Sequence, residues 1–327
     1  MAFDIRKKCW SREILSAAEI DESLLSAPVA AFNKAGNMIP ELARKLGAKN
    51  NIMIVNGTHD QAAAAVGTGV FSPGMAVDGT GTVECITPVF DSIPDSETLY
   101  SKGYCVVPYV FDNTYICYAF SFTGGAAIKW FRDKISSEKS YAALDSSVSS
   151  EPTGLLIMPH FSGAATPYMD SSSKAAVIGL TLEHNGSDLY KALMEGVTYE
   201  MMLNIEQLES FGIAPEKLYA VGGGASSPVW LQIKADILDR PVTSLDAKEA
   251  GACGTCMLTG VALGIYRDLY EAKEYFVKEN KTFYPDRRRA GIYKRYYSAY
   301  KNIYGAVRPI TEDINHVSNF KNDIKAR

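Results

Sequence analysis

The feature that most constrains this chain is a strand that runs into three glycines and then into a capped helix. Leu218-Tyr219-Ala220-Val221 reads as the strand, Gly222-Gly223-Gly224-Ala225 as the turn, and Ser227-Pro228 as a cap with proline at the first helical position, ahead of Trp230, Ile233 and Ile237. That junction leaves bare backbone and a helix N-terminus at one spot, which suits an anion or a flat nucleotide base. The Gly-x-Gly-x-x-Gly fingerprint is absent, and so is the Walker pattern with its lysine, so neither a Rossmann site nor a P-loop is supported.

Two further glycine turns share this character. Met75 to Ile86 reads as two strands around Gly79-Thr80-Gly81-Thr82, a turn that can offer N–H groups and hydroxyls to a phosphate and that also fits a plain hairpin. Thr123-Gly124-Gly125-Ala126 opens a helix carrying Ile128, Phe131 and Ile135; close packing of helix on sheet is its other reading. Gly103–Val110 and Thr114–Ser121 pair around Phe111-Asp112-Asn113, giving at least four antiparallel strands. Upstream, Ile52-Met53-Ile54-Val55 reads as a short buried strand and Asn56-Gly57-Thr58-His59-Asp60-Gln61 leads into an alanine-rich helix. An acid at that junction is held by helix N-terminal N–H groups, which suits a general base; an ordinary helix cap is the plainer reading of this motif alone.

The rest of the chain narrows the class. Charged residues make up 21% and apolar ones 47%, which excludes disordered and fibrous chains. A net charge of −4 gives no basic field for nucleic acid, and no apolar run is long enough for a membrane span. The N-terminus lacks the apolar core of a signal peptide, so a cytoplasmic protein is expected. Of six cysteines only Cys253-Gly254-Thr255-Cys256 resembles a motif, and without a second ligand pair it reads as helix packing. His160 reads as a hydrogen-bonded loop residue. Ser187 is expected to cap a helix carrying Leu189, Leu193, Val197, Met201, Ile205 and Leu208 until Gly212. Glu249 to Gly254 should begin a helix of small residues lying close to a neighbour. Tyr293, Tyr296, Tyr297, Tyr300 and Tyr304 behind Arg287-Arg288-Arg289 read as a packing helix with a solvated basic face.

Three glycine turns and one acid on an α/β frame suggest a nucleotide phosphate site facing a small polar substrate. The ordered set Gly57-Thr58-His59-Asp60-Gln61, Gly79-Thr80-Gly81-Thr82, Thr123-Gly124-Gly125-Ala126 and Gly222 to Trp230 resembles the FGGY carbohydrate kinases, nearest in tone to the xylulokinase and fuculokinase branches. The resemblance runs from Phe3 to about residue 308. It implies an actin-like, ribonuclease-H-like ATPase fold with a mixed sheet flanked by helices, and ATP-dependent phosphorylation of a sugar or polyol hydroxyl. By the same resemblance Asp60 is the base, with His59 and Gln61 beside it near the sugar. Gly79, Thr80, Gly81 and Thr82 would hold the terminal phosphates, Gly124 and Gly125 the middle of the nucleotide, and Gly222, Gly223, Gly224, Ala225 and Ser226 the adenosine. Magnesium would come with ATP. Ala164-Ala165 stands where many members carry Glu-Arg, which leaves the sugar open.

The family's opening Asp-x-Gly-Thr turn has no counterpart before Asp60. Residues 1–72 are therefore expected to be the end of a first, sugar-binding domain, 73–310 a second, ATP-binding domain, and 311–327 a polar tail. A separately encoded N-terminal kinase domain and a second copy of the chain are the protein partners left open. The competing function is a non-catalytic nucleotide-binding or regulatory module, or an inactive truncated kinase.

Overall fold

The computed structural model describes residues 2–48, 52–94, 97–246 and 249–325, with the backbone alone beyond residue 317. Alternation along the strands builds the architecture. In β1 (Met75–Thr80) Ala76 faces one core while Val77 faces another, and in β5 (Lys217–Val221) Leu218 and Ala220 oppose Tyr219 and Val221 in the same way. A sheet apolar on both faces must be covered on both.

The remaining strands are β2 (Glu84–Phe90), β3 (Cys105–Pro108), β4 (Tyr115–Ser121), β6 (Val242–Leu245) and β7 (Glu279–Phe283). All seven form one mixed sheet in the order β7-β6-β5-β1-β2-β4-β3. β6, β5 and β1 are parallel, with Val221 opposite Gly79, and the other neighbours are antiparallel. One face carries α2 (Gly125–Trp130), α3 (Gly186–Ser210), α4 (Pro228–Leu238) and α7 (Arg287–Tyr300), whose buried side chains include Ile128, Leu193, Trp230 and Tyr297. The other carries α1 (Asp60–Gly67), α5 (Ala250–Ala262) and α6 (Leu269–Phe276).

The expected small-residue contact is between α5 and α1. A Cβ on Gly254 would lie 1.8 Å from the Ala63 carbonyl oxygen, and one on Gly67 1.9 Å from that of Ala250. Only hydrogen at both positions lets the two backbones touch.

Three expectations need correction. The strand at Met53–Val55 is half-exposed and pairs with Lys34–Asn37, a segment with no periodic signal, so it belongs to a small two-stranded sheet and not to a buried core. The long helix is capped by Asn185, not Ser187: the Asn185 side chain accepts from the N–H groups of Ser187 and Asp188, and Asp188 returns the bond to the Asn185 N–H, a capping box that starts the helix one turn earlier than its apolar periodicity. The segment expected as a polar tail continues helical in α8 (Ile303–Lys325), with Thr311 buried against the body; Ala326 and Arg327 lie outside the described residues.

Candidate active site

Asp60 is the first residue of α1, and the cap position belongs to His59, whose side chain makes no capping bond. The carboxylate is therefore not spent on a distant N–H of the first turn. Its Oδ1 accepts from the Gln61 N–H at 2.7 Å and lies 3.1 Å from His59 Nδ1, and the side chain is 82% exposed. His59 also meets the Tyr118 hydroxyl at 3.3 Å, so the loop before α1 is tied to β4.

The hairpin β1–β2 turns through Gly81, Thr82 and Val83, closed by the Gly81 N–H donating to the Val83 carbonyl at 3.0 Å. The other two glycine turns lean on this one, backbone against backbone. A Cβ on Gly124 would lie 2.6 Å from the Val83 carbonyl, one on Gly125 2.6 Å from the Gly81 oxygen, and one on Gly222 2.5 Å from the Thr80 oxygen. Gly222 sits at φ +85, a conformation that side chains with a Cβ avoid. The glycines thus bring three turns, separated by up to 140 residues of chain, to one point.

What they enclose is a cleft of about 920 Å³. Thr80, Gly81, Thr82, Gly125, Gly223, Gly224 and Ser226 line one end, and Trp130, Tyr141 and Val229 are among the apolar residues of its walls. Gly79, Gly124, Gly222 and Ala225 stand behind the lining, and His59, Asp60 and Gln61 lie outside it. The size suits a nucleotide, and a bare turn beside a helix N-terminus at one end suits phosphate. Lys129 and Lys134 add cations at the wall, with Lys129 paired to Asp133. Hydrogen bonds from Lys129 and then Arg132 hold the Asp133 carboxyl down, from an ordinary 3.8 to about 2. Among the described residues no group of three His, Cys, Asp or Glu side chains is placed to hold a metal ion.

Sequence reasoning missed a charged cluster under the hairpin. Lys234 of α4 places its ammonium 2.6 Å from Asp78 Oδ2 and 2.6 Å from Thr80 Oγ1, and donates to Glu84 Oε1; Thr80 in turn donates to Glu84 at 3.0 Å. All four side chains are buried. The signal was there in outline: Lys234 falls four residues after Trp230 and three before Ile237, on the apolar face of its helix. His160, read as a loop residue, is buried between Ser173 at 2.7 Å and Glu200 at 3.2 Å, and Glu200 also accepts from Tyr300. Buried as it is, this set ties the loop to α3 and α7. The tyrosine row is likewise packing: Tyr293 donates to Glu195 and Tyr297 to Glu206, while Arg288 and Arg289 pair with Glu151 and Asp236.

Comparison with known proteins gives the chain its family and fold. The sequence model of the FGGY family of carbohydrate kinases, N-terminal domain, matches residues 1–67, and that of the C-terminal domain matches residues 105–263. Xylulose kinase of Bacillus subtilis is 28% identical over 314 residues, covering 95% of this chain and 62% of that protein. Glycerol kinase of Enterococcus faecalis is 30% identical over 295 residues, covering 87% and 56% respectively. Among solved structures, a ligand-bound xylulose kinase from Lactobacillus acidophilus superposes with a TM-score of 0.87 at 20% identity, over 96% of this chain and 64% of that one. Plasmodium falciparum glycerol kinase with ADP gives 0.80 at 21%, over 92% and 61%. The fold is thus that of the FGGY kinases, as the sequence resemblance implied. The chain spans about 62% of the length of the xylulose kinases it matches. Among the described residues no helix is long and apolar enough to cross a membrane.

Proposed function

Since the chain belongs to the FGGY family of carbohydrate kinases, we propose that it binds ATP in the cleft between the three glycine turns and supplies the base for phosphorylation of a sugar or polyol hydroxyl. The convergence of those turns on one cleft carries the reading, with the exposed Asp60 carboxylate at the start of α1, outside the cleft's lining. Thr80, Gly81 and Thr82 hold the terminal phosphates, Gly125 the middle of the nucleotide, and Gly223, Gly224 and Ser226 the adenosine, while Gly79, Gly124, Gly222 and Ala225 back them from behind the lining. Asp60 takes the hydroxyl proton as the substrate oxygen bonds to the γ-phosphorus; the bond from that phosphorus to the β,γ-bridging oxygen breaks and ADP leaves. Magnesium, carried in on the phosphates, neutralises their charge. The chain's own part is alignment, exclusion of water and removal of one proton.

Residues 1–72 are the sugar-side part and 73–310 the nucleotide-side part. Leu24, Val29, Ile39, Leu42, Leu46 and Ile54 are each exposed on the first of these, apolar surface that suits burial against an actin-like sugar-binding domain, whether in the same chain or separate. Relatives named for xylulose and glycerol support a ketose or a short polyol as substrate, with the cytoplasm as the compartment that supplies ATP.

The test is transfer of labelled γ-phosphate from ATP to a panel of ketoses and polyols, run on the chain alone and with an N-terminal FGGY domain added. Transfer to at least one of them, lost in Asp60→Asn, is expected. Equal rates for Asp60→Asn and the parent overturn the role of Asp60. Nucleotide bound with no transfer in either setting supports the non-catalytic module instead.

A further inference from the structure

We propose that Asp78 and Glu84 share one proton beneath the Gly81–Val83 turn, and that with Lys234 they form a neutral cluster that positions this turn for phosphate. The observation is a pair of orphaned atoms: Asp78 Oδ1 and Glu84 Oε2 are both fully buried and have no hydrogen-bond partner. Each residue uses its other oxygen on Lys234. With both carboxylates ionised, neither orphan has a donor. One proton held by the pair, which meet on the same Lys234 ammonium, supplies a donor that two ionised carboxylates lack.

Charge counting agrees. With both acids ionised the cluster carries one net negative charge at no more than 2% exposure for any of its three members. With one proton it is neutral, and a neutral base under the turn does not repel incoming phosphates. Burial first, and then Asp78, pushes the Glu84 carboxyl well above the usual carboxylate range, against the pull of Lys234. Desolvation alone would lower Lys234, yet the two carboxylates hold it above its ordinary value, so the ammonium stays charged. The Trp230 ring and the Cys85 thiol also adjoin the cluster, and neither brings a positive charge. The Trp230 ring centroid lies 5.3 Å from Lys234 Nζ, and burial pushes the neighbouring Cys85 thiol up to about 12. Thr80 couples the cluster to the cleft: its hydroxyl accepts from Lys234 and donates to Glu84, and its backbone enters the turn that Gly222 and Gly224 press upon. Asp78, Glu84 and Lys234 are thus positioning residues.

The binding arm of this inference rests on the nucleotide reading above; the protonation arm does not. Infrared difference spectra at neutral pH should show a buried carboxylic C=O stretch in the parent chain that vanishes in Glu84→Gln. Because glutamine reproduces the protonated acid, Glu84→Gln should bind Mg·ATP within about threefold of the parent. Lys234→Met should bind at least about tenfold more weakly. If Lys234→Met does not fold, the neutral Asp78→Asn, Glu84→Gln, Lys234→Met triple variant replaces it, with the same expected loss. Absence of the carboxylic band overturns the shared proton. A folded variant lacking Lys234 that binds Mg·ATP like the parent overturns the positioning role. A parent chain that binds no Mg·ATP refutes the nucleotide reading instead, and the infrared result still decides the proton.

Discussion

Gly254→Ala is the perturbation whose size the structure fixes best. The new Cβ would lie 1.8 Å from the Ala63 oxygen and 2.8 Å from the Gly67 nitrogen, both backbone atoms of α1 that cannot rotate away. Restoring a contact near the ~3.5 Å optimum requires α1 and α5 to part by about 1.7 Å. Overpacking of this kind costs about 1–3 kcal/mol, and a backbone neighbour puts this site at the upper end, near 3 kcal/mol. At roughly 2 °C per kcal/mol for a chain of this size, the melting temperature should fall by about 6 °C. Asp60 rides on α1, so the shift also moves the proposed base; a displacement near 1 Å is worth about a hundredfold in rate. Gly251→Ala on the same helix is the control. Its Cβ would stand 3.8 Å from the Asp60 oxygen, an ordinary contact, and the better helix former should gain about 0.5 kcal/mol. Paired melts by circular dichroism read both. Equal stabilities for the two variants, within about 0.5 kcal/mol, would refute the claim that backbone contact at Gly254 joins these helices.

Further outcomes follow from individual sites. Asp60→Asn should lower kcat by about 10²–10⁴-fold while leaving the KM for ATP unchanged, measured by a coupled ADP-release assay in the active assembly. Ser227 Oγ accepts from the Trp230 N–H at 3.1 Å, so Ser227→Ala should cost about 1 kcal/mol by urea denaturation. Asp133 has a depressed folded-state pKa, so its stabilising effect is complete above an ordinary carboxylate value of 3.8 and is lost as pH falls through about 2; carbon-detected NMR titration should place its midpoint there, and Lys129→Met should raise it. Iodoacetamide at pH 8 should label exposed Cys9, Cys105 and Cys256 and spare Cys85, whose thiol burial pushes up to about 12.

The sequence was legible where one physical cause acts over a short stretch. Strand, glycine turn and Ser227-Pro228 cap are local, and the structure reproduces them with two small differences: the strand starts one residue earlier, at Lys217, and the turn winds into a 3-10 turn over Gly223–Ser226. The small-residue helix at 250–262 announced a close neighbour because only glycine and alanine leave room for one, although which helix it met lay beyond local reasoning. The glycines themselves were read for what they open to a ligand; the structure adds that Gly124, Gly125 and Gly222 are needed for turn-on-turn contact. The Asp78–Lys234–Glu84 cluster was illegible for the opposite reason. Its members are 150 residues apart or more along the chain between Lys234 and either acid, and a charged residue on an apolar helix face has no local pattern that names its partner. Lys34–Asn37 was missed because pairing with Met53–Val55, and no periodicity of its own, makes it a strand.

The central claim is that the three glycine turns make a nucleotide site. Isothermal titration of the chain with Mg·ATP tests it most directly, beside an Ala142→Trp variant that adds bulk at an exposed lining residue belonging to none of the turns. The account predicts saturable binding of one nucleotide per chain, lost in Ala142→Trp at unchanged melting temperature. No binding at millimolar Mg·ATP, or equal binding by the filled variant, would contradict it.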